Sequence, residues 1–187
     1  MAVLLLHCYS PHERPEDQVA TWEFIEKVRE ERPGVKIVDV PCTTEGDYPR
    51  AWAENWDFDG TLVNLEHDLV PTLQILDELI DCPSKLCTQA YKIYPLSTAL
   101  DREVFVQRLA SKDEVRFDRW VLEGDAHADY TGLGLTKLDA EVRSTISASN
   151  IERYASWKGF DFSLSNLFHV QGKRWHIHWP AIPHHHR

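Results

Sequence analysis

Long apolar runs and long basic runs are both missing from this sequence of 187 residues. The longest apolar run near its start, Ala2 to Leu6, is too short for the core of a signal peptide and far too short to span a bilayer. No run of Lys and Arg exceeds two residues, and 20 basic side chains stand against 30 acidic ones, a formal net charge of −10. Because that charge repels a phosphate backbone, we expect no nucleic-acid partner. Because the apolar run is short, we expect no membrane-spanning segment and a cytoplasmic location.

Cysteine is scarce, with four residues that lack the two-residue spacing of a zinc knuckle. Free thiols are therefore expected rather than a disulfide framework. For Cys82 and Cys87, which flank a turn at Pro83, we favour two small buried hydrophobic side chains over half of a zinc site. Also missing are the Gly-x-Ser-x-Gly nucleophile elbow and the phosphate-binding P-loop, so two common catalytic classes have no motif here.

Apolar side chains are plentiful, with 43% of residues apolar and seven tryptophans. A chain of this composition can build a sizeable core, and its length fits one domain better than two. No internal repeat, low-complexity stretch or linker rich in Pro and Gly interrupts the sequence. We therefore predict a single domain over residues 1–187.

Apolar runs alternate with helical patterns through the first half of the chain. Buried strands are predicted at residues 2–8, 35–40, 61–65 and 85–91, and amphipathic helices at residues 19–28 and 70–79. Because each strand is followed by a helix and then a strand, we expect a mixed, mostly parallel central sheet flanked by helices, an α/β fold.

The second half of the chain gives less regular patterns. We predict a helix around residues 104–110, a strand around residues 115–122 and a helix from about Asp139, after Gly132-Leu133-Gly134. That glycine pair lacks the third glycine of a dinucleotide loop, so it indicates a tight turn or a close backbone approach. An apolar stripe from Phe160 to Phe168 predicts a helix ended by Gly172, and residues 174–179 predict a last strand.

The most informative window is the turn Glu66-His67-Asp68, which follows an apolar strand and precedes a helix. Side chains at i and i+2 of a strand share a face, so Glu66 and Asp68 can offer oxygen ligands to Mg²⁺ or Mn²⁺. Open α/β sheets bind ligands at this end of their strands. The structural alternative is that Asp68 or a neighbour caps the following helix, and the tripeptide alone does not separate the two.

A second candidate is the carboxyl-terminal sequence His176-Ile177-His178-Trp179-Pro180 and the tail His184-His185-His186. His176 and His178 share a face of the predicted strand, and imidazole is a common ligand of transition metals. The alternatives are two structural histidines in the strand and a solvated tail. Three histidines closed by Arg187 do not resemble an added purification tag.

A competing motif is Asp57-Phe58-Asp59-Gly60-Thr61, which resembles the nucleophile loop of haloacid-dehalogenase-type phosphatases. The segment Gly124 to Asp129 imitates their late acidic motif. In that chemistry, Asp57 would attack phosphorus and Asp59 would act as acid and base, which requires a buried strand in front of them. Residues 50–56 are mixed and helix-like instead, so the apolar strand follows Asp57 rather than preceding it.

Together, several of these segments resemble small GT-A-fold glycosyltransferase-like proteins of phages and bacteria. The resemblance rests on the strand that runs into Glu66-His67-Asp68, on Cys82-Pro83 and Cys87, on Gly132-Leu133-Gly134, on Trp157 and Asp161, and on the ending His176 to Ile182. It spans residues 1 to 187 and implies a GT-A-like, Rossmann-like sheet. The family holds its cation with an Asp-x-Asp motif, and this chain departs from it by carrying Glu66 in the first position.

The resemblance implies a donor, a cofactor and a set of site residues. The donor would be a nucleotide-diphosphate sugar and the cofactor Mn²⁺ or Mg²⁺ on Glu66 and Asp68, with His178, or else His176, as a further ligand. Asp161 would be the base on the acceptor hydroxyl. The nucleotide would contact Tyr9, Ser10, His12 and Asp39 near the ends of the first two strands.

We therefore take the chain to be a nucleotide-sugar glycosyltransferase whose acceptor is unknown. The alternatives are a phosphatase that uses Asp57 and Asp59, and a GT-A-shaped module that binds without catalysis, since fold alone does not separate an enzyme from a binding protein. Because acceptor recognition usually occupies added segments, a partner domain or an oligomer is also expected.

Overall fold

The computed structural model describes residues 2–12, 15–92, 105, 107–110, 117–153 and 157–182. The strands are β1 (Val3–Tyr9), β2 (Val35–Pro41), β3 (Thr61–Glu66), β4 (Leu86–Tyr91), β5 (Arg108–Ala110), β6 (Phe117–Trp120), β7 (His127–Ala128), β8 (Leu135–Asp139) and β9 (Trp175–Ile182). The helices are α1 (Pro15–Glu31), α2 (Asp47–Asn55), α3 (Leu73–Asp81), α4 (Ala140–Arg143), α5 (Ala148–Glu152) and α6 (Trp157–His169). In the described chain, no helix has the length and apolar character needed to cross a membrane.

Seven strands form one sheet in the order β2-β1-β3-β8-β4-β9-β7. The neighbours β1 and β2, β1 and β3, and β4 and β9 pair in parallel, whereas β8 runs antiparallel to both β3 and β4, and β7 antiparallel to β9. Five of the seven strands therefore point the same way. The sheet is mixed and mostly parallel with helices against it, which confirms the predicted α/β fold class.

Each face of the sheet has its own apolar core, because successive side chains of a strand point to opposite faces. Leu4 and Leu6 of β1 belong to the core that contains Trp52 of α2, together with side chains of α4, α5 and α6. Leu5 belongs to the other core, with Ile25 of α1 and the apolar side of α3. We call these the α2 face and the α1 face. Burying each such Leu or Ile contributes about 1.5–3 kcal/mol.

Arg143 of α4 fixes the loop that leads into β3. Its side chain is 1% exposed, and its guanidinium donates hydrogen bonds to the carbonyl oxygens of Trp56, Phe58 and Gly60. The indole Nε1 of Trp56 donates in return to the carbonyl of Arg143, at 3.2 Å. Buried carbonyl groups need hydrogen-bond partners, and the turn between α2 and β3 lies outside the strand pairing of the sheet. The Arg143 side chain therefore supplies donors to carbonyl groups of this turn.

Most predicted elements of the sheet and its helices are confirmed, including β1 to β4, β9, α1, α3 and α6. The strand predicted around residues 115–122 is present as β6, and the helix from about Asp139 is the short α4. The helix predicted around residues 104–110 is wrong where the structure describes it, because residues 108–110 form β5 and pair with β6. Val104 and Val106 lie outside the described residues.

Two strands of the sheet, β7 and β8, are not foreseen by the sequence patterns. β8 reads Leu-Thr-Lys-Leu-Asp, which is neither an apolar run nor a strict alternation, yet its first four residues are all buried. Lys137 is buried there because its Nζ donates to the carbonyl oxygens of Cys82 and Ser84, at 2.6 and 3.1 Å. A charge satisfied by contacts distant in sequence leaves no local signal.

Candidate active site

The turn after β3 lies at the edge of the sheet where the parallel strands end. Glu66 is the last residue of β3 and pairs in register with Cys8 near the end of β1. Its backbone N–H donates to the carbonyl of Gly134 at 2.8 Å, which ties it to the start of β8. A Cβ on Gly134 would lie 2.3 Å from Cδ1 of Leu69, so the glycine permits this close approach. The glycine pair therefore marks a tight packing point beside the site.

A tyrosine from α2 holds the Glu66 side chain. The hydroxyl of Tyr48 donates to Oε1 of Glu66 at 2.6 Å, and Nδ2 of Asn64 donates to that hydroxyl oxygen at 2.9 Å. Asn64 also donates to the carbonyl of Leu133, at 2.6 Å. Both Tyr48 and Asn64 are buried, so the carboxyl group of Glu66 has a fixed position on the α2 face.

The charges of two other carboxyl groups, Asp68 and Asp161, act on Glu66. Burial first and then these two negative charges raise the pKa of Glu66 to about 8, against the hydrogen bond from Tyr48, which lowers it. The same two charges and that of Glu66 add to burial in raising the pKa of the Tyr91 hydroxyl. Asp68 is 6% exposed. The structure thus places the predicted residues Asp68 and Asp161 each within electrostatic reach of Glu66.

Asp161 reaches this cluster from α6. Burial raises the pKa of its carboxyl group, while the N–H of Phe162, which donates to Oδ1 at 2.7 Å, and the charge of Arg108 lower it. Arg108 lies on β5, so it approaches from the smaller two-stranded sheet. Arg108 and Tyr48 are both site residues that sequence reasoning missed. Neither forms a motif with a neighbour in sequence, since Tyr48 is 18 residues from Glu66.

Two of the predicted nucleotide contacts lie at this same edge, since Tyr9 is the last residue of β1 and Ser10 follows it. The ring of Tyr9 lies 5.0 Å from the ring of Trp22 on α1, and both line a groove of about 640 Å³. The carbonyl of Ser10 accepts a hydrogen bond from Gln18 at 2.7 Å. His12 occupies the exposed turn that follows. The structure thus places Tyr9, Ser10 and His12 one after another at the carboxyl end of β1, with Tyr9 lining the groove.

Asp39 is engaged on the α1 face. Its Oδ1 lies 2.9 Å from Nδ1 of His7, and its Oδ2 accepts a hydrogen bond from Arg29. His7 and Asp39 are neighbours in the register of β1 and β2. The carboxylate of Asp39 is therefore engaged by Arg29 and His7 and remains partly exposed.

His176 and His178 are not brought to Glu66 and Asp68. Their neighbours Trp175 and Ile177 belong to the core of the α2 face, so both imidazoles point to the α1 face, away from the Glu66 side chain. β8 and β4 also lie between β3 and β9, and three strand spacings amount to about 14 Å. The expectation that a carboxyl-terminal histidine completes the acidic cation site is corrected accordingly. The tail residues 184–186 lie outside the described residues.

The phosphatase motif is divided between distant places. Asp57 and Asp59 are exposed in the turn before β3, at the opposite edge of the sheet from Glu66. Asp125 pairs with Arg119 at 2.9 Å, and Asp129 pairs with Arg174 at 2.8 Å. Nucleophile chemistry at Asp57 requires the carboxyl end of a strand, so this arrangement gives the phosphatase alternative no support.

Comparison with known proteins leaves the family open and informs the fold. No protein-family model and no curated protein sequence matches the chain. Among solved structures, it is similar to A197 from STIV, with a TM-score of 0.50 and 15% identity over 87% of this chain and 78% of that one. This likeness shows a shared fold.

Two further solved structures are similar at lower TM-scores. A protein from Bacillus anthracis described as a glucose-1-phosphate thymidylyltransferase, in complex with a sucrose, has a TM-score of 0.43 and 12% identity over 94% of this chain and 68% of that one. The 4-diphosphocytidyl-2C-methyl-D-erythritol synthase of Anaerococcus prevotii has a TM-score of 0.38 and 10% identity over 98% of this chain and 90% of that one.

Proposed function

We propose that this chain is a metal-dependent glycosyltransferase-like protein that binds a nucleotide-diphosphate sugar and transfers the sugar to an acceptor. The observation that carries the proposal is the convergence of Glu66, Asp68 and Asp161 at the carboxyl edge of the sheet. Ligands of open α/β sheets bind in the crevice at this edge. Clustered carboxyl groups with perturbed pKa values in such a place are typical of catalytic and cation-binding sites.

The acidic pair fits a hard divalent cation. Glu66 and Asp68 supply carboxylate oxygens, the donor type that Mg²⁺ and Mn²⁺ prefer, and their mutual repulsion is relieved when a cation lies between them. These two residues would hold the ion. When bound, the cation would stabilise the negative charge of the nucleoside diphosphate leaving group. Tyr48 holds Glu66 in place from behind, which keeps one ligand fixed before the cation arrives.

Asp161 is the residue we assign to the acceptor hydroxyl. Its carboxyl group faces the Glu66 cluster from α6, and burial raises its pKa toward the range in which a carboxylate accepts a proton effectively. The N–H of Phe162 fixes the orientation of the carboxylate. Asp161 would take the hydroxyl proton as the acceptor oxygen attacks the anomeric carbon.

The nucleotide base would lie beside Tyr9 and Trp22. Their rings line the groove next to the end of β1, and aromatic faces bind the flat face of a base. Glu23 and Glu26 line the same groove, so its charge suits a neutral base rather than the diphosphate. The groove lies on the α1 face and the Glu66 side chain on the α2 face, so the diphosphate would pass over the carboxyl end of β1 to reach Glu66.

A thermal-shift measurement tests the proposal. Mn²⁺ with a nucleoside diphosphate should raise the melting temperature, because a ligand at 100 times its Kd stabilises the native state by about 2.7 kcal/mol. Asp68→Asn should abolish the shift, since the amide keeps the shape and removes the charge. Asp59→Asn, the same change at an exposed position on the opposite edge, is the matched control and should keep it.

Three outcomes would change the conclusion. A full shift retained by Asp68→Asn would remove the cation site from the acidic turn. Binding without donor hydrolysis or sugar transfer over a panel of acceptors would indicate a non-catalytic binding module. Release of phosphate from a generic phosphoester that is lost in Asp57→Asn would establish the phosphatase instead.

A further inference from the structure

A second cluster of metal-ligating side chains lies on the α1 face, away from the acidic turn. The ligand atoms of Cys82, His176 and His178 all lie within 4.8 Å of one another. Cys82 is the carboxyl-terminal cap of α3, and the two histidines are two residues apart on β9. The cluster therefore joins a helix end to a strand distant in sequence, and no motif of the sequence announces it.

Hydrogen bonds from the surroundings hold the backbone at Cys82 and His178. Nζ of Lys137 donates to the carbonyl of Cys82 at 2.6 Å, and Nε2 of Gln89 donates to the carbonyl of His178 at 3.2 Å. The two imidazole rings are 5.2 Å apart and nearly perpendicular, at 84°. Nε2 of His178 is buried and has no hydrogen-bond partner among the described residues. Buried polar atoms usually have a partner, so this ring nitrogen is available to bind a metal ion.

We propose that Cys82, His176 and His178 form a transition-metal site whose preferred ion is Zn²⁺. One thiolate and two imidazoles are the donors that zinc selects, whereas the oxygen donors at Glu66 select Mg²⁺ or Mn²⁺. Zinc bonds of about 2.3 Å to sulfur and about 2.1 Å to nitrogen place tetrahedral ligands about 3.5 Å apart, so small side-chain rotations from the 4.8 Å spacing suffice.

Binding of the ion releases the proton of the Cys82 thiol, and the remaining tetrahedral position is filled by water. The ion would connect the turn between α3 and β4 to β9. This site is independent of the proposed transferase function, because it lies on the other face of the sheet and shares no residue with the acidic cluster.

Cobalt substitution tests the site directly. One equivalent of Co²⁺ added to the metal-free full-length protein should give a sulfur-to-cobalt charge-transfer band and the visible bands of tetrahedral coordination, and one equivalent of Zn²⁺ should remove both. Cys82→Ser should lose the charge-transfer band. His176→Gln and His178→Gln should each weaken Zn²⁺ binding by at least about 100-fold, since changes around a metal ligand alone cost 10–100-fold.

Neighbouring residues supply the controls. Cys87→Ser should keep the band, because the thiol of Cys87 already donates to the carbonyl of Ser84, at 3.2 Å. Asp68→Asn and a variant with His184, His185 and His186 all replaced by Ala should also keep it, which separates the site from the acidic turn and from the tail. Circular dichroism of each metal-free variant shows whether it has folded.

No charge-transfer band in the native protein, or a band retained in folded Cys82→Ser, would overturn the proposal. A band lost in Cys87→Ser and kept in Cys82→Ser would also overturn it, because the thiolate ligand would then be Cys87. If a variant does not fold without metal, a rise in the melting temperature of the native protein with Zn²⁺ that is absent with Mg²⁺ provides the second measurement.

Discussion

The pKa of Glu66 predicts how the stability of the protein changes with pH. In the folded state burial and the charges of Asp68 and Asp161 raise this pKa from 4.5 to about 8. An acid whose pKa is raised on folding contributes its full stability below the unfolded value, and that contribution is lost as the pH rises toward the folded value. We therefore expect the metal-free protein to lose stability between about pH 4.5 and pH 8, with Glu66→Gln largely free of this loss.

The size of the loss follows from the size of the shift. At about 1.36 kcal/mol per pKa unit, a rise from 4.5 to about 8 corresponds to about 5 kcal/mol as an upper bound. The Glu66 side chain is only partly withdrawn from solvent, which screens some of the effect. Glutamine resembles the protonated carboxyl group and can still accept the hydrogen bond of Tyr48, so Glu66→Gln should match the native protein near pH 5 and exceed its stability by at least about 2 kcal/mol at pH 8.5.

Urea unfolding between pH 5 and pH 8.5, in the presence of a chelator, measures the difference. Glu54→Gln, the same change at an exposed position of α2, is the matched control and should give a stability curve parallel to that of the native protein. If the native protein and Glu66→Gln differ by the same amount at every pH, the pKa of Glu66 is not raised on folding. A stability difference between the two proteins that grows toward acid pH would mean that folding lowers the pKa of Glu66.

Two further changes separate function from stability. Asp161→Asn should lower the rate of sugar transfer at least about 100-fold with donor binding unchanged, because a positioned base contributes about 10²–10⁴-fold. Kinetics at saturating donor measures this rate. An unchanged turnover would place the base elsewhere. Arg143→Met should cost at least about 2 kcal/mol in urea unfolding, because the buried carbonyls of Trp56 and Gly60 lose their guanidinium donor at about 1–3 kcal/mol each. A loss below about 1 kcal/mol would show that water replaces the guanidinium.

The sequence is informative where local pattern and tertiary structure agree. The first three strands and the helices α1 and α3 have apolar spacings that match their buried faces, so their positions and their parallel pairing can be predicted. The position of Glu66 and Asp68 at the carboxyl end of β3 can be predicted in the same way, because the apolar strand pattern stops at Glu66.

Local sequence patterns do not predict contacts between residues that are distant in sequence. The buried Lys137 in β8 depends on carbonyls more than fifty residues away. Whether His176 meets Glu66 or Cys82 depends on the sheet order and the register of β4 with β9, which pairs His176 with Cys87. The periodicity of a single segment contains neither the sheet order nor the strand register. The resemblance placed the two histidines beside Glu66 and Asp68, whereas the structure places them beside Cys82.

The position of β8 has a consequence for how the chain acquires its structure during synthesis. β3 and β4 follow each other in sequence, yet they meet only through β8, which emerges from the ribosome more than forty residues after β4. Until then β3 and β4 present hydrogen-bonding edges with no strand between them, and such edges promote association with other chains. Residues 135–139 must therefore be synthesised before the edges of β3 and β4 that face each other can be covered.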